Sequence, residues 1–338
     1  RRRQLHHRRP SQEGDPQMSG YLGQFAVKSE TTWNTPVVPD KAFEVASAAI
    51  KVDAQRVEVP TIRAGRRMMK HRLPYAGGAS GSVEMPVMTT GFGWWLKHML
   101  GSVASSAVVD SAYTHTGTMA VPSASFTAQT GVPYTGGSSV QPQTVSGGRV
   151  TGWELSCEGG GELKFKADCD FASWTNATAL VTPVYPSGVP LTFIRGSVTI
   201  DGTPVISDNF TLNFNPALNT DRRGIGVVKR EQKVDGLADA SLSLKLDYEA
   251  QTYLDKIVAA TQAGAQSNVV IVIEDTALIG ATSRAKLEIT IPVCMWDGDA
   301  PSLSGPEQTS FDLKGVVGTN DTDSPVTIKY VSTDSSVA

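Results

Sequence analysis

Histidine and cysteine are scarce in this 338-residue chain, and their scarcity removes most catalytic and metal chemistry. Three cysteines, Cys157, Cys169 and Cys294, are too few and too scattered for a disulfide framework. They are expected reduced and half-buried in sheet, as in a protein assembled in a cytoplasm. Cys157 and Cys169 also lack the paired spacing of a zinc site. Beyond residue 17 the histidines are His71, His98 and His115, and none has a second ligand at metal-binding spacing. No nucleophile elbow, Walker A loop or dinucleotide fingerprint is present. "GGASGS" (77–82) is glycine-rich, but it follows a loop and leads into a strand, the wrong context for a phosphate cradle. "TNDTDS" (319–324) clusters Asp321 and Asp323 without the downstream glutamate of a calcium loop and reads as a polar turn. No run approaches eighteen apolar residues, so no membrane-spanning helix is expected. The expectation is a non-enzymatic chain with no cofactor and no metal.

What is present is a core-forming composition, 40% hydrophobic and 19% charged. Thirty-two glycines and 19 prolines among many Ser and Thr point to short strands joined by turns. Residues 1–17, "RRRQLHHRRPSQEGDPQ", differ in kind and are expected to be a basic, disordered-like leader or upstream extension before a natural start at Met18. A nucleic-acid-binding arm is the alternative. Without its five arginines and two acids, 25 basic residues face 31 acidic ones, a net charge of −6 against −3 for the whole chain. An acidic body adheres poorly to DNA.

Along the chain one plan is spelled twice. "AFEVASAAIKVDAQRVEVPTI" (42–62) alternates apolar and polar residues in two stretches, as half-buried strands do, and "LTFIRGSVTIDGTPVISDNFTLNFN" (191–215) does the same. Within the second, Asp201-Gly202 between alternating runs predicts a tight hairpin, since a type I′ turn needs positive φ at both central positions. Each stretch is followed by a basic loop. "RAGRRMMKHRLPYAGG" (63–78) holds Arg63, Arg66, Arg67, Lys70 and Arg72; "NTDRRGIGVVKREQKVDG" (219–236) holds Arg222, Arg223, Lys229, Arg230 and Lys233. Each loop gives way to a strand, around Val83 and around Leu244, and then to a helix.

In the first helix Phe92, Trp95, Leu96, Met99 and Leu100 make one apolar stripe that ends at Gly101. His98 lies off that stripe and is expected to be solvated. Trp94 and Trp95 are candidates for a carbohydrate platform, but packing against sheet is the expected role. In the second helix Tyr253, Leu254, Ile257 and Val258 make the matching stripe, after an acidic first turn with Asp247 and Glu249. Both copies close with further strands. "LVTPVYPSGVPL" (180–191) reads as a linker, and the stretches 121–148 and 297–309 as surface loops. An internal duplication is the simplest account: a leader (1–17), a first β domain (18–182), a linker (183–190) and a second β domain (191–338).

The order of hairpin, long loop, small-residue strand, short helix and closing strands resembles the tail tube proteins (major tail proteins) of long-tailed bacteriophages. "IRAGRRMMKHRLPYAGGASGSVEMPVMTTGFGWWLKHMLG" (62–101) carries the resemblance best, and 222–260 repeats it more weakly. The resemblance implies a mainly β fold, here two tandem β-sandwich or partial-barrel domains, each with one short flanking helix. It implies a structural virion protein of a siphovirus tail, assembled in the host bacterial cytoplasm. Such subunits polymerise as stacked rings into a hollow tube that conducts DNA into the host. Six domains make a ring in that family, so two per chain imply trimeric, pseudo-hexameric rings. The implied partners are further copies of the chain, a tape-measure protein and tail terminator or tip proteins. DNA would pass without sequence-specific contact, and no membrane is involved. The ten basic loop residues would serve ring stacking, or else be simply solvated. A tail hub or distal tail ring protein is an alternative, as is a carbohydrate-binding adhesive β-sandwich.

Overall fold

A computed structural model describes residues 22–107, 110–122, 124–134, 139–247, 251–298 and 310–337. The proposed leader, most of the 297–309 loop and Glu249 lie outside the described residues. In chain order the first half contains β1 (Gln24–Ser29), β2 (Lys41–Ala42), β3 (Ser47–Val59), β4 (His71–Pro86) and α1 (Gly93–Leu100). It continues with β5 (Gly101–Ala107), β6 (Tyr113–Met119), β7 (Phe126–Pro133), β8 (Val140–Glu158), β9 (Leu163–Phe171) and β10 (Ser173–Thr175). The second half opens with β11 (Arg195–Ile200), β12 (Thr203–Val205), β13 (Asn209–Asn215), β14 (Leu218–Asn219), β15 (Lys233–Val234) and β16 (Asp239–Asp247). Then follow α2 (Thr252–Ala263), β17 (Ser267–Leu278), β18 (Arg284–Asp297), β19 (Ser310–Val317) and β20 (Thr327–Ser332). The fold is mainly β and sandwich-like, with two helices among the described residues and sheets that do not close. Neither helix is long and apolar enough to cross a membrane.

Alternation drives the layering. In β16 every second residue, Ala240 to Leu246, is buried, and in β13 Phe210, Leu212 and Phe214 are. The alternate side chains are polar and face solvent, the pattern of a sheet with one wet face. All strand pairings are antiparallel, and their order repeats. One layer reads β2–β1–β7–β8–β10 in the first half and β12–β11–β17–β18–β20 in the second. The other reads β3–β4–β9–β8 and then β13–β16–β19–β18. The long strands β8 and β18 belong to both layers of their halves. Two pairings then tie the halves together, β8 to β13 and β6 to β20, and the buried side chains form one cluster from Phe25 to Tyr330.

The expected Asp201-Gly202 turn forms. Both residues have positive φ, 51° and 75°, and Ile200 pairs with Thr203 across them. Helix α1 ends as expected at Gly101, whose φ of 89° is the left-handed cap conformation. Other expectations fail for physical reasons. The helix is buried on every side except Lys97, because it lies against β5, β6 and β8, so His98 is buried rather than solvated. Asp247 ends β16 and does not open the second helix, where Asp255 occupies the first turn. Only Ile257 of that helix is fully buried; Tyr253 and Leu254 are half-buried and Val258 is exposed. The stretch 121–148 is no surface loop. It contains the β7 strand and the start of β8, with Phe126, Ala128 and Val145 in the core.

Candidate functional site

The repeated sheet order places a matching rung in each half. In the first, Ser47, Glu84, Lys166 and Glu154 stand side by side across β3, β4, β9 and β8. In the second, Thr211, Ser243, Lys314 and Asp297 do so across β13, β16, β19 and β18. The residues before the last members of the two rungs are Trp153 and Trp296, both buried. Between the halves, Trp153 sits opposite Phe214, with ring centroids 5.2 Å apart and planes 16° from parallel. Eight strands thus run in one order, β3–β4–β9–β8–β13–β16–β19–β18, and their solvated face carries Lys166, Asp168, Asn213, Asp239 and Ser241 around a shallow depression.

The connection from β13 to β16, which contains the second basic loop, is folded back onto the first half. Lys229 Nζ meets Asp170 Oδ1 at 2.6 Å, with the two side chains only 6% and 9% exposed. Gln232, fully buried, donates from Nε2 to the second Asp170 oxygen at 2.7 Å and accepts from Trp33 Nε1 at 3.2 Å. Arg149 Nη1 donates to the Gln232 carbonyl at 2.6 Å and Nη2 to Glu231 at 2.7 Å. Burial pulls Arg149 below the usual guanidinium range, and Glu231 opposes that shift. Arg222 donates to the Glu231 carbonyl, and Arg223 pairs with Asp221 while lying over the Tyr75 ring. The backbone leaves no slack beneath this latch. Gly78 has a φ of 98°, and a Cβ there would fall 2.2 Å from the Phe171 carbonyl oxygen and 3.1 Å from the Lys229 chain.

The first basic loop is arranged differently. Beyond Val52, β3 and the start of β4 leave the body as a two-stranded ribbon, with Val57 and Leu73 exposed. At its tip Arg63, Arg67 and Lys70 are exposed, as are Ile62 (105%), Met68 (83%) and Met69. Arg66 is tied to the Thr61 hydroxyl at 2.6 Å. Arg72 belongs to β4 rather than to the loop and pairs with Glu58 across the ribbon at 3.1 Å. Of the ten basic positions singled out in the sequence, Lys229 is therefore buried in a contact within the chain, Arg222 and Arg223 line the same latch, and Arg230 and Lys233 are exposed.

Elsewhere the polar groups are structural. His115 lies between Ser105 Oγ at 2.8 Å and the Asp334 carbonyl at 2.9 Å, and the Asp334 carboxylate instead caps the Gly91 amide at 2.6 Å. Among the described residues no carboxylate is hydrogen-bonded to the imidazole. His98 Nε2 shares a hydrogen bond with Ser29 Oγ at 3.0 Å, and that hydroxyl accepts from Trp94 Nε1 at 3.1 Å. Burial pushes the His98 imidazole down to about 3, so it is neutral. Trp94 is 2% exposed and packs on Phe43 and Phe126, which removes it as a carbohydrate platform. Among the described residues no group of three His, Cys, Asp or Glu side chains is placed to hold a metal ion. Sequence reasoning missed Glu30, Arg149, Asp170 and Gln232. For Arg149 and Asp170 the signal lay in charged residues inside otherwise apolar or small-residue strands, where burial demands a partner.

A protein-family model described as "Phage tail tube protein" matches residues 20–317. That is most of the chain, and the chain belongs to this family. A search of curated proteins finds no match.

Proposed function

We propose that this phage tail tube protein polymerises as stacked rings into the hollow tail tube and that the tube conducts DNA into the host. Membership of a structural virion family supports the coarse assignment. The observation that carries the finer one is the tandem sheet. Four strands of one half are followed by four in the same order from the other, joined through β8 and β13, with different strands at the two ends. Ends that differ cannot pair by a two-fold axis, so repetition of the contact builds a ring or a helix. Each half would then supply one tube-like domain, and three chains would close a pseudo-hexameric ring.

The solvated face of the eight strands would line the channel. It interleaves lysines with carboxylates and small polar residues, a surface without the basic density that holds phosphates. The exposed cations of the second loop, Arg230 and Lys233, would meet the next ring, where charge pairing sets register rather than affinity. Further partners in this reading are a tape-measure protein within the lumen and terminator or tip proteins at the ends, with assembly in the host cytoplasm. Electron microscopy of the purified full chain tests it. Hollow tubes with three chains per ring are expected; persistent monomers at high concentration refute the polymer, and six chains per ring refute the two-domain count.

A further inference from the structure

We infer that residues 327–337, β20 and the segment after it, are a clasp that closes the first half, so that the two halves fold as one unit. Domains usually fold separately, the N-terminal one first during synthesis. The contacts of this chain run against that order. The family match ends at residue 317, and the clasp lies outside the matched residues. Helix α1 begins with little support of its own. Phe92, at its N-cap, makes no side-chain cap bond, and the first turn holds no acidic residue. The missing negative charge comes from the other half. Asp334 accepts from the Gly91 amide at 2.6 Å, 243 positions away in sequence. The Ser332 hydroxyl fixes that carboxylate at 3.2 Å and accepts from the Asp334 amide at 3.1 Å. Val337 fills the space over Gly93, where a Cβ would fall 2.6 Å from its methyl carbon. Tyr330, fully buried, lies edge-on to the Phe92 ring at 5.8 Å and donates its hydroxyl to the Met88 carbonyl at 2.9 Å. His115, equally buried, meets the Asp334 carbonyl at 2.9 Å, and β6 pairs along its length with β20.

The dependence is mutual. Asp170 and Arg149 of the first half find their partners in Lys229, Glu231 and Gln232 of the second. In return Trp153 stacks on Phe214, and Asp110 accepts from the Thr282 amide at 2.7 Å. One cluster of buried side chains runs through both halves. Opening either half then exposes core of the other, which is the condition for a single cooperative unit. A chain made only as far as the linker has the strands of the first half. It lacks the charge before α1, the ring beside Phe92 and the partners of two buried charges, and an unpaired buried polar group is costly. Under the polymeric reading above, this holds back association until residues 327–337 have been made.

Hydrogen exchange of the full chain, followed by mass spectrometry in rising urea below the unfolding midpoint, tests the coupling. Peptides from α1 and from β20 are expected to share one opening free energy and to merge in one isotherm. Two variants then probe the clasp itself. Asp334→Ala removes the acceptor and keeps the segment, and a chain stopped after Ser332 removes the segment. In both, exchange of the α1 amides is expected to rise about tenfold or more, a change that the loss of a hydrogen bond to a charged group supports. The slowest amides of β9 and β18 are expected to rise by the same factor. Protection of α1 that survives an opening in which β20 exchanges overturns the inference, as does α1 exchange unchanged in Asp334→Ala. Should the shortened chain not accumulate in soluble form, Asp334→Ala decides alone. All measurements are made on unassembled chain, so absence of tubes overturns the polymeric reading and leaves the clasp to be judged by exchange.

Discussion

The Lys229–Asp170 contact permits a quantitative test of the latch that holds the second loop on the first half. Lys229→Met leaves the Asp170 carboxylate buried with Gln232 as its remaining side-chain donor. Asp170→Leu strands the Lys229 ammonium and also removes an acceptor from Gln232. Breaking a buried pair by removing one partner costs about 3–5 kcal/mol, whereas replacing both partners by apolar groups is often close to neutral. Each single variant is therefore expected to lose about 3 kcal/mol and the double variant well under the sum, giving a coupling energy of roughly 3 kcal/mol. For a chain of this length a 3 kcal/mol loss lowers the unfolding midpoint by about 4 °C. The assay is thermal or urea unfolding of all four proteins, with trypsin sensitivity at Arg222, Arg223 and Arg230 as a local readout. Both singles should open those bonds to cleavage before global unfolding, because the loop's other anchors, Gln232 and Arg149, share the same cluster. Single-variant losses that simply add in the double variant would show that the two groups do not interact, and the latch as described would be wrong.

Three further outcomes follow from the geometry. Glu30 accepts from the Asn34 and Gly147 amides and the Ser125 and Thr127 hydroxyls at 2.7–2.9 Å, so Glu30→Ala is expected to cost about 3 kcal/mol by urea titration. Phe214→Ala removes the ring stacked on Trp153 at the joint between the halves and should cost about 3–5 kcal/mol, measured the same way. Stability should fall as pH drops through the window from about 6.5, where an unfolded histidine titrates, to about 3, where folded His98 does, because the unfolded chain binds the proton that the fold refuses. The contribution is complete above that window, and His98→Gln should flatten the slope, which reaches about 1.4 kcal/mol per pH unit per proton.

Much of the fold was legible because it rests on local chemistry. Alternation located β13 and β16, Asp201-Gly202 located a hairpin, and Gly101 located the end of α1. What stayed hidden depends on partners distant in sequence. The β7–β8 hairpin is rich in Gly, Ser, Thr and Gln and reads as a loop. Its polar residues are buried because they are bonded: Gln129 reaches Thr144 Oγ1 at 3.0 Å, the Ala179 carbonyl at 2.9 Å and the Val181 amide at 2.8 Å. His98 looked solvated because a stripe describes one face of a helix, whereas sheet surrounds this one. Lys229 resembles its basic neighbours in every local respect. Only Asp170, 59 residues away, distinguishes it.

That hidden difference bears on how such a chain avoids the wrong partner. A long unpaired strand edge is an aggregation hazard, and native proteins guard it with charge. Here the guard is mostly of one sign, with Asp53 and Glu58 as the acids of the ribbon. Lys51, Arg56, Arg63, Arg67, Lys70 and Arg72 are all exposed along the β3–β4 ribbon and its tip, so two ribbons meeting edge to edge bring like charges together. The edge at the other end of the eight-strand order offers Asp297, Asp312, Asp321 and Asp323 instead, with Lys314 among them. Like charges directly opposed on paired strands are destabilising and unlike charges favourable, by a few tenths to about 1 kcal/mol per pair. Several pairs acting together disfavour pairing of one ribbon with another. Two different ends with opposite charge favour the heterologous contact, the only kind that propagates a ring or a filament. Joining β8 to β13 within the chain leaves each molecule one end rich in basic residues and one rich in acidic residues.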